Sequence, residues 1–277
     1  MDIKKLIAIL VLVFILPPFM SYAEEGSQGC IIIYGDSRTD HCVHRKIVDK
    51  IIENKPAIVF HVGDLVGNGL KLKDWTTFNK ITADLRKRAE FYPALGNHEK
   101  NSPLYFKNFN LPGNGRWYSI DRQGIRFIVL DSNSDLNVRS EQYRWFEGNL
   151  KAIGAETKFV IVIFHHPIFS STDKYADEKG LICMVPLFER YKVDMVFSGH
   201  SHNYEKFLYH NIYYIVTGGG GAKLYGRSHV AQYSMLFAKV HHFCKLSTSG
   251  DQLTVTVLDI DSNVIDQFSV SVQSRKE

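Results

Sequence analysis

Cysteine is scarce in this chain. Its 277 residues include four, at positions 30, 42, 183 and 244, and no pair has CxxC spacing. That argues against a cysteine-based zinc site. No run is long enough to cross a bilayer. The longest apolar stretch, Leu6 to Phe19, has 14 residues and is broken by Pro17-Pro18, whereas a spanning helix needs about 20. Excess charge is also missing. Lys and Arg number 33 against 29 Asp and Glu, a net +4. That is too little over this length to indicate a nucleic acid or a membrane surface as partner. Repeats, low-complexity segments and Pro/Ser-rich linkers are absent too, so nothing divides the fold.

The apolar stretch reads as part of a secretory signal. A short basic start, Met1-Asp2-Ile3-Lys4-Lys5, precedes it, and Ser21 and Ala23 place small residues at −3 and −1 of a cleavage site after Ala23. The expected organisation is a signal peptide over 1–23 and a single domain over 24–277. The product is exported, periplasmic or secreted, with no stable membrane anchor once the signal is removed. Export permits disulfides, and four cysteines allow three full pairings. Cys30 and Cys42 flank the first strand, and at about 3.3 Å per residue they lie farther apart than the roughly 4.4–6.8 Å Cα separation of a bridge.

Hydrophobic residues make up 45% and charged residues 22%, ordinary globular values that permit a large core. Apolar runs at 29–34, 57–62 and 91–95 read as buried strands. Helical spacing over 44–54 and 75–88 separates them. This alternation predicts parallel strands with helical crossovers, an α/β class. A hairpin is expected over 117–130 around Gln123-Gly124. Helices follow over 140–152, capped by Ser140, and 181–191, with strands over 158–164 and 194–197. The C-terminal third reads as β-rich, with strands over 212–216, 235–240, 252–258 and 264–270.

Five short segments, each after an expected strand, carry the chemistry: Gly35-Asp36-Ser37-Arg38, Gly63-Asp64, Gly96-Asn97-His98-Glu99, His165-His166-Pro167 and Gly199-His200-Ser201-His202. A lone aspartate at a strand end is more often a cap or turn former than a ligand. Here carboxylates, an amide and imidazoles recur together, which is the donor mix for two borderline-hard metal ions. Iron, manganese and zinc suit these donors about equally.

The order Asp … Gly-Asp … Gly-Asn-His-Glu … His-x-Pro … Gly-His-x-His resembles the calcineurin-like metallophosphoesterase superfamily, and within it the purple-acid-phosphatase-like branch. The resemblance extends to Asn110-Leu111-Pro112-Gly113, Arg116-Trp117-Tyr118, Leu130-Asp131-Ser132 and Thr217-Gly218-Gly219-Gly220, and covers residues 31–270. It implies a four-layer α-β-β-α sandwich of two mixed sheets flanked by helices, with two metals side by side at its top. Carried over, Asp36 and His202 bind the first metal, Asn97, His165 and His200 the second, and Asp64 bridges both. A metal-bridging hydroxide attacks phosphorus in line. His98 matches the histidine beside the leaving group. The implied activity is that of an acid-phosphatase-like hydrolase acting on a small phosphorylated substrate, a monoester or a diester.

Two positions depart from the pattern. Gly67 stands where the purple branch has the iron-binding tyrosine, which implies a colourless protein. Arg38 stands where another branch has a histidine ligand for the first metal. A permanent cation is better suited to holding a substrate phosphate, or it pairs with Asp36 or Asp40. The first metal is then weakly held, completed by water, or completed by His41 or His44. The alternative function is a catalytically weak or inactive metal-binding surface module of the same fold. Gly218 to Gly221 either cradle phosphate through backbone amides or form a closely packed turn. His61, His166, His210, His241 and His242 read as packing or surface residues.

Overall fold

A computed structural model describes residues 29–172, 176–177 and 179–273. The signal-peptide expectation over 1–23 lies outside these residues. In chain order the elements are β1 (Ile31–Tyr34), α1 (His41–Glu53), β2 (Ile58–His61), α2 (Leu72–Arg88), β3 (Glu90–Pro93) and α3 (Pro103–Asn108). Then come β4 (Tyr118–Arg122), β5 (Ile125–Val129), α4 (Glu141–Lys151), β6 (Phe159–Ile163), a 3-10 turn (Leu181–Met184) leading into α5 (Val185–Arg190), and β7 (Met195–Ser198). β8 (Tyr204–Tyr209), β9 (Ile212–Thr217), β10 (Ser234–Ala238), β11 (His242–Ser249), β12 (Gln252–Asp259) and β13 (Val264–Ser271) complete the fold.

Two mixed sheets result, in the orders β13-β12-β11-β1-β2-β3 and β10-β8-β9-β7-β6-β5-β4. β1, β2 and β3 run parallel, as do β5, β6, β7 and β9. Strand alternation separates the layers. Ile31, Ile33, Ile58 and Phe60 face the other sheet, where Phe127, Ile161 and Ile163 meet them. The Phe60 and Phe127 rings stack across that interface with centroids 4.4 Å apart. Ile32, Tyr34 and Val59 face outward onto Ile47, Val48 and Ile51 of α1 and Ile81 and Leu85 of α2. Val160 and Val162 pack against Phe146 of α4 and Phe188 of α5. This is the expected four-layer α-β-β-α sandwich.

α1 begins at Asp40, whose carboxylate accepts from the N–H groups of Cys42 and Val43, the arrangement of a side-chain N-cap. Asp40 is therefore occupied by the helix and is not the partner of Arg38. Three elements were not anticipated. α3 is a six-residue helix, too short to show a period. β8 follows directly on the Gly-His-x-His segment. β11 carries exposed Ser247, Thr248 and Ser249 at its end, which blurs its alternation. All four cysteines are free thiols, with Cys244 buried and Cys42 and Cys183 exposed, so none of the permitted disulfides is formed. No helix among the described residues is long and apolar enough to cross a membrane.

Candidate metal centre

The parallel strands of both sheets deliver their C-terminal ends to one edge. β1 leads to Asp36, β2 to Asp64, β3 to Asn97, β6 to His165 and β7 to His200. The turn leaving each strand is tight. Asp36, Asp64 and His200 adopt φ of 56°, 57° and 65°, left-handed values that cost a non-glycine residue about 1–3 kcal/mol each and cluster at functional sites. Gly63 has φ 98°, and a Cβ there would stand 2.7 Å from His165 Nδ1 and 2.8 Å from Gly96 N. At Gly199 a Cβ would collide with Asp36 Oδ2. Both glycines let two strand ends approach closely enough for their side chains to share a site.

One donor group forms around His165. Its Nδ1 donates to the Val62 carbonyl at 2.9 Å, which leaves Nε2 as a lone pair. That lone pair lies 3.1 Å from Asn97 Oδ1, 3.2 Å from His200 Nδ1 and 3.4 Å from Asp64 Oδ1. Burial holds His165 down to about 3, so it does not resolve the crowding by becoming a cation. Donors about 2.0–2.2 Å from a shared ion lie about 3.0–3.5 Å from one another in tetrahedral or octahedral coordination. The observed spacings match. An amide oxygen, an imidazole nitrogen and a carboxylate oxygen thus gather at coordination spacing around the His165 Nε2 lone pair, a donor set that fits a cation.

A second group forms around Asp36. Its Oδ2 accepts the His200 N–H at 3.0 Å, while Oδ1 is buried and accepts no hydrogen bond. An orphaned carboxylate oxygen in the interior is costly unless a cation meets it. His202 Nε2 lies 3.4 Å from that oxygen. His202 is held by Nδ1 donating to the Lys223 carbonyl at 2.8 Å, which again turns an Nε2 lone pair inward. Tyr225 stacks on its ring at 4.2 Å. Asp36, Asp64 and His202 form one compact cluster able to hold an ion, and His165, His166 and His200 another. Asp64 reaches both, with Oδ1 toward His165 and Oδ2 toward the side of His202.

Arg38 enters this second group. Its Nε donates to Asp64 Oδ2 at 3.0 Å and its Nη2 to His202 Nε2 at 3.3 Å. Its partner is thus Asp64, not Asp36 or Asp40. His98 sits at the rim, 28% exposed, with Nε2 3.8 Å from Asp64 Oδ2. Its Nδ1 donates to the Gly67 carbonyl at 2.7 Å. His44 is excluded as a ligand, because it is buried beneath the site, bonds Tyr34 Oη and stacks on Phe78.

Several supporting residues had no functional reading in the sequence. Glu99 accepts four backbone N–H groups, from Gly96, Asp64, Leu65 and Val66, at 2.7–3.3 Å. Burial, and then the Asp64 carboxylate, push its carboxyl up, while those N–H donors favour the ionised form. Its place in Gly-Asn-His-Glu was its only signal. His166 is buried at the centre, with Nδ1 2.8 Å from Ser132 Oγ and its ring over His200; its adjacency to His165 was the available hint. Tyr225 and Lys223 lie in a loop without readable pattern. The Gly218–Gly221 run is a packed turn: its Gly218 and Gly220 N–H groups donate to Asn203 and Gly35 carbonyls.

Such a sandwich, with such a donor cluster at one edge, has the architecture of the metallophosphoesterase fold. Residues 43–204 match the calcineurin-like phosphoesterase family, and the chain belongs to that family. It is 31% identical over 187 residues to probable purple acid phosphatase 20 of Arabidopsis thaliana, covering 57% of this chain and 44% of that protein. Probable inactive purple acid phosphatase 24 of the same plant is 27% identical over 226 residues, 67% of this chain and 37% of the relative. The chain therefore spans less than half the length of either. The structure of purple acid phosphatase PPD1 from yellow lupin superposes with TM-score 0.79 at 22% identity, over 89% of this chain and 54% of that one.

Proposed function

We propose that this chain is a metal-dependent phosphoester hydrolase with a small phosphorylated substrate. The observation that carries this reading is the convergence of Asn97 Oδ1, His200 Nδ1 and Asp64 Oδ1 on the His165 Nε2 lone pair at 3.1–3.4 Å. His165, Asn97, His200 and Asp64 would hold one ion, and Asp36, His202 and Asp64 a second. Ions bound there supply positive charge for phosphoryl oxygens and acidify water. Arg38 lies against Asp64 and His202 in the metal-free chain, and its planar fork suits a phosphate oxygen once it is released from them. His98 is fixed with Nε2 toward the rim, so its imidazolium form carries the proton a departing alkoxide needs. As the bond from phosphorus to the leaving oxygen breaks and water oxygen bonds to phosphorus, that proton passes to the leaving oxygen. With glycine at 67, an iron-loaded protein lacks the tyrosine-to-iron colour. Residues 1–23 support export.

The second reading, a metal-binding module with little activity, draws on Arg38 lying against Asp64. Turnover of an aryl phosphate monoester and diester separates the two, using chelator-stripped protein and protein loaded with manganese, zinc or iron, beside Asp64→Ala. Metal-dependent turnover that Asp64→Ala abolishes supports the hydrolase. Folded, metal-loaded protein that turns over neither ester supports the module.

A further inference from the structure

We propose that Arg38 is an internal cation that competes with the first metal, so the two ion sites differ sharply in affinity. This rests on the metal-centre reading above and concerns which site fills. The two acceptor groups are not equivalent. Around His165, three nitrogen and oxygen atoms gather at 3.1–3.4 Å from its Nε2, and among the described residues no arginine or lysine bonds that nitrogen. Around Asp36, the Asp64 Oδ2 and His202 Nε2 positions are both already met by one guanidinium, at 3.0 and 3.3 Å.

A metal entering the Asp36 side needs those same two lone pairs. It must displace Arg38 from Asp64, a carboxylate 1% exposed, while the arginine side chain itself is only 18% exposed. A charge-assisted bond of this kind corresponds to about ten- to a hundredfold in affinity. Proximity of a fixed positive charge further opposes a second cation. Asp36 Oδ1 remains unpartnered, so Arg38 satisfies part of the site and does not abolish it. The arginine is thus placed to supply one of the positive charges that a phosphate would otherwise meet as metal.

The test is stepwise calorimetric titration of chelator-stripped protein with manganese, joined to elemental analysis after desalting. The wild-type chain is expected to bind in two steps separated by about a hundredfold and to retain one equivalent. Arg38→Met, similar in length but uncharged, is expected to bring the steps within about tenfold and to retain two. Two equivalents held equally by the wild type, or an unchanged separation in a folded Arg38→Met, overturns the proposal while leaving the hydrolase reading intact. A wild-type chain that binds neither manganese, zinc nor iron overturns both.

Discussion

The Glu99 carboxylate receives the Asp64 N–H at 2.8 Å, so the residue that reaches both acceptor groups is positioned by a buried acid three residues beyond Gly96. The same carboxylate takes the N–H groups of Leu65, Val66 and Gly96. It joins the β2 and β3 exits and fixes the left-handed turn at Asp64. Glu99→Gln puts an amide NH2 against donors that need an acceptor. The expected loss is about 2–4 kcal/mol of stability, together with weaker metal retention. Denaturant unfolding with and without manganese checks both.

Asp36→Asn is expected to act in opposite directions on stability and on metal. The orphaned Oδ1 of Asp36 is a liability in the metal-free chain. An asparagine there removes the unpaired buried charge, while its oxygen keeps the His200 N–H. The metal-free variant should gain about 1–3 kcal/mol, seen as a melting temperature about 2–8 °C higher. Its melting temperature should also respond less to added metal than the wild type's. A variant that is less stable without metal would contradict the role given to Oδ1.

How much of this was legible depends on what each residue does. The metal-ligand candidates sit at strand ends, where a buried apolar run stops at a polar residue, and that signal is local. The family resemblance implied Asp36, Asp64, Asn97, His165, His200 and His202 as ligands, and the structure brings these six side chains together. The partner of Arg38 could not be read, because its sequence neighbours offered only Asp36 and Asp40, and Asp64 comes within reach only where the β1 and β2 exits lie side by side. Tyr225 and the Lys223 carbonyl reach His202 from a loop without period or motif. β8 and β11 went unread because neither alternates: β8 opens on four consecutive buried residues and β11 ends on three exposed ones.

Acid should destabilise the fold independently of the site's chemistry. His44 and His242 are buried neutral, with burial as the main cause, and are held down to about 3 and about 4. In the unfolded chain both take protons near 6.5. Between those values the unfolded state binds more protons, so stability falls as pH drops from about 6.5 toward 4. By pH 4 each contributes a loss of about 3 kcal/mol. Thermal melts at pH 7, 5.5 and 4.5 should show a steady decrease. A melting temperature independent of pH across this range would contradict it.

His98→Asn removes the proposed leaving-group proton donor and keeps a small polar side chain at the rim. The expected fall in kcat is about a hundred- to ten-thousandfold for an alkyl phosphate. It should be much smaller for an aryl ester whose leaving group needs little protonation. Equal losses on both esters would assign His98 to positioning alone.

The most direct test follows phosphate release as chelator-stripped protein is reloaded with metal, scored against the metal bound per chain. The account predicts no turnover in the stripped protein and turnover that rises in proportion to bound metal, with none in Asp64→Ala. Turnover that survives complete metal removal, or its absence in a folded and fully loaded chain, would contradict it.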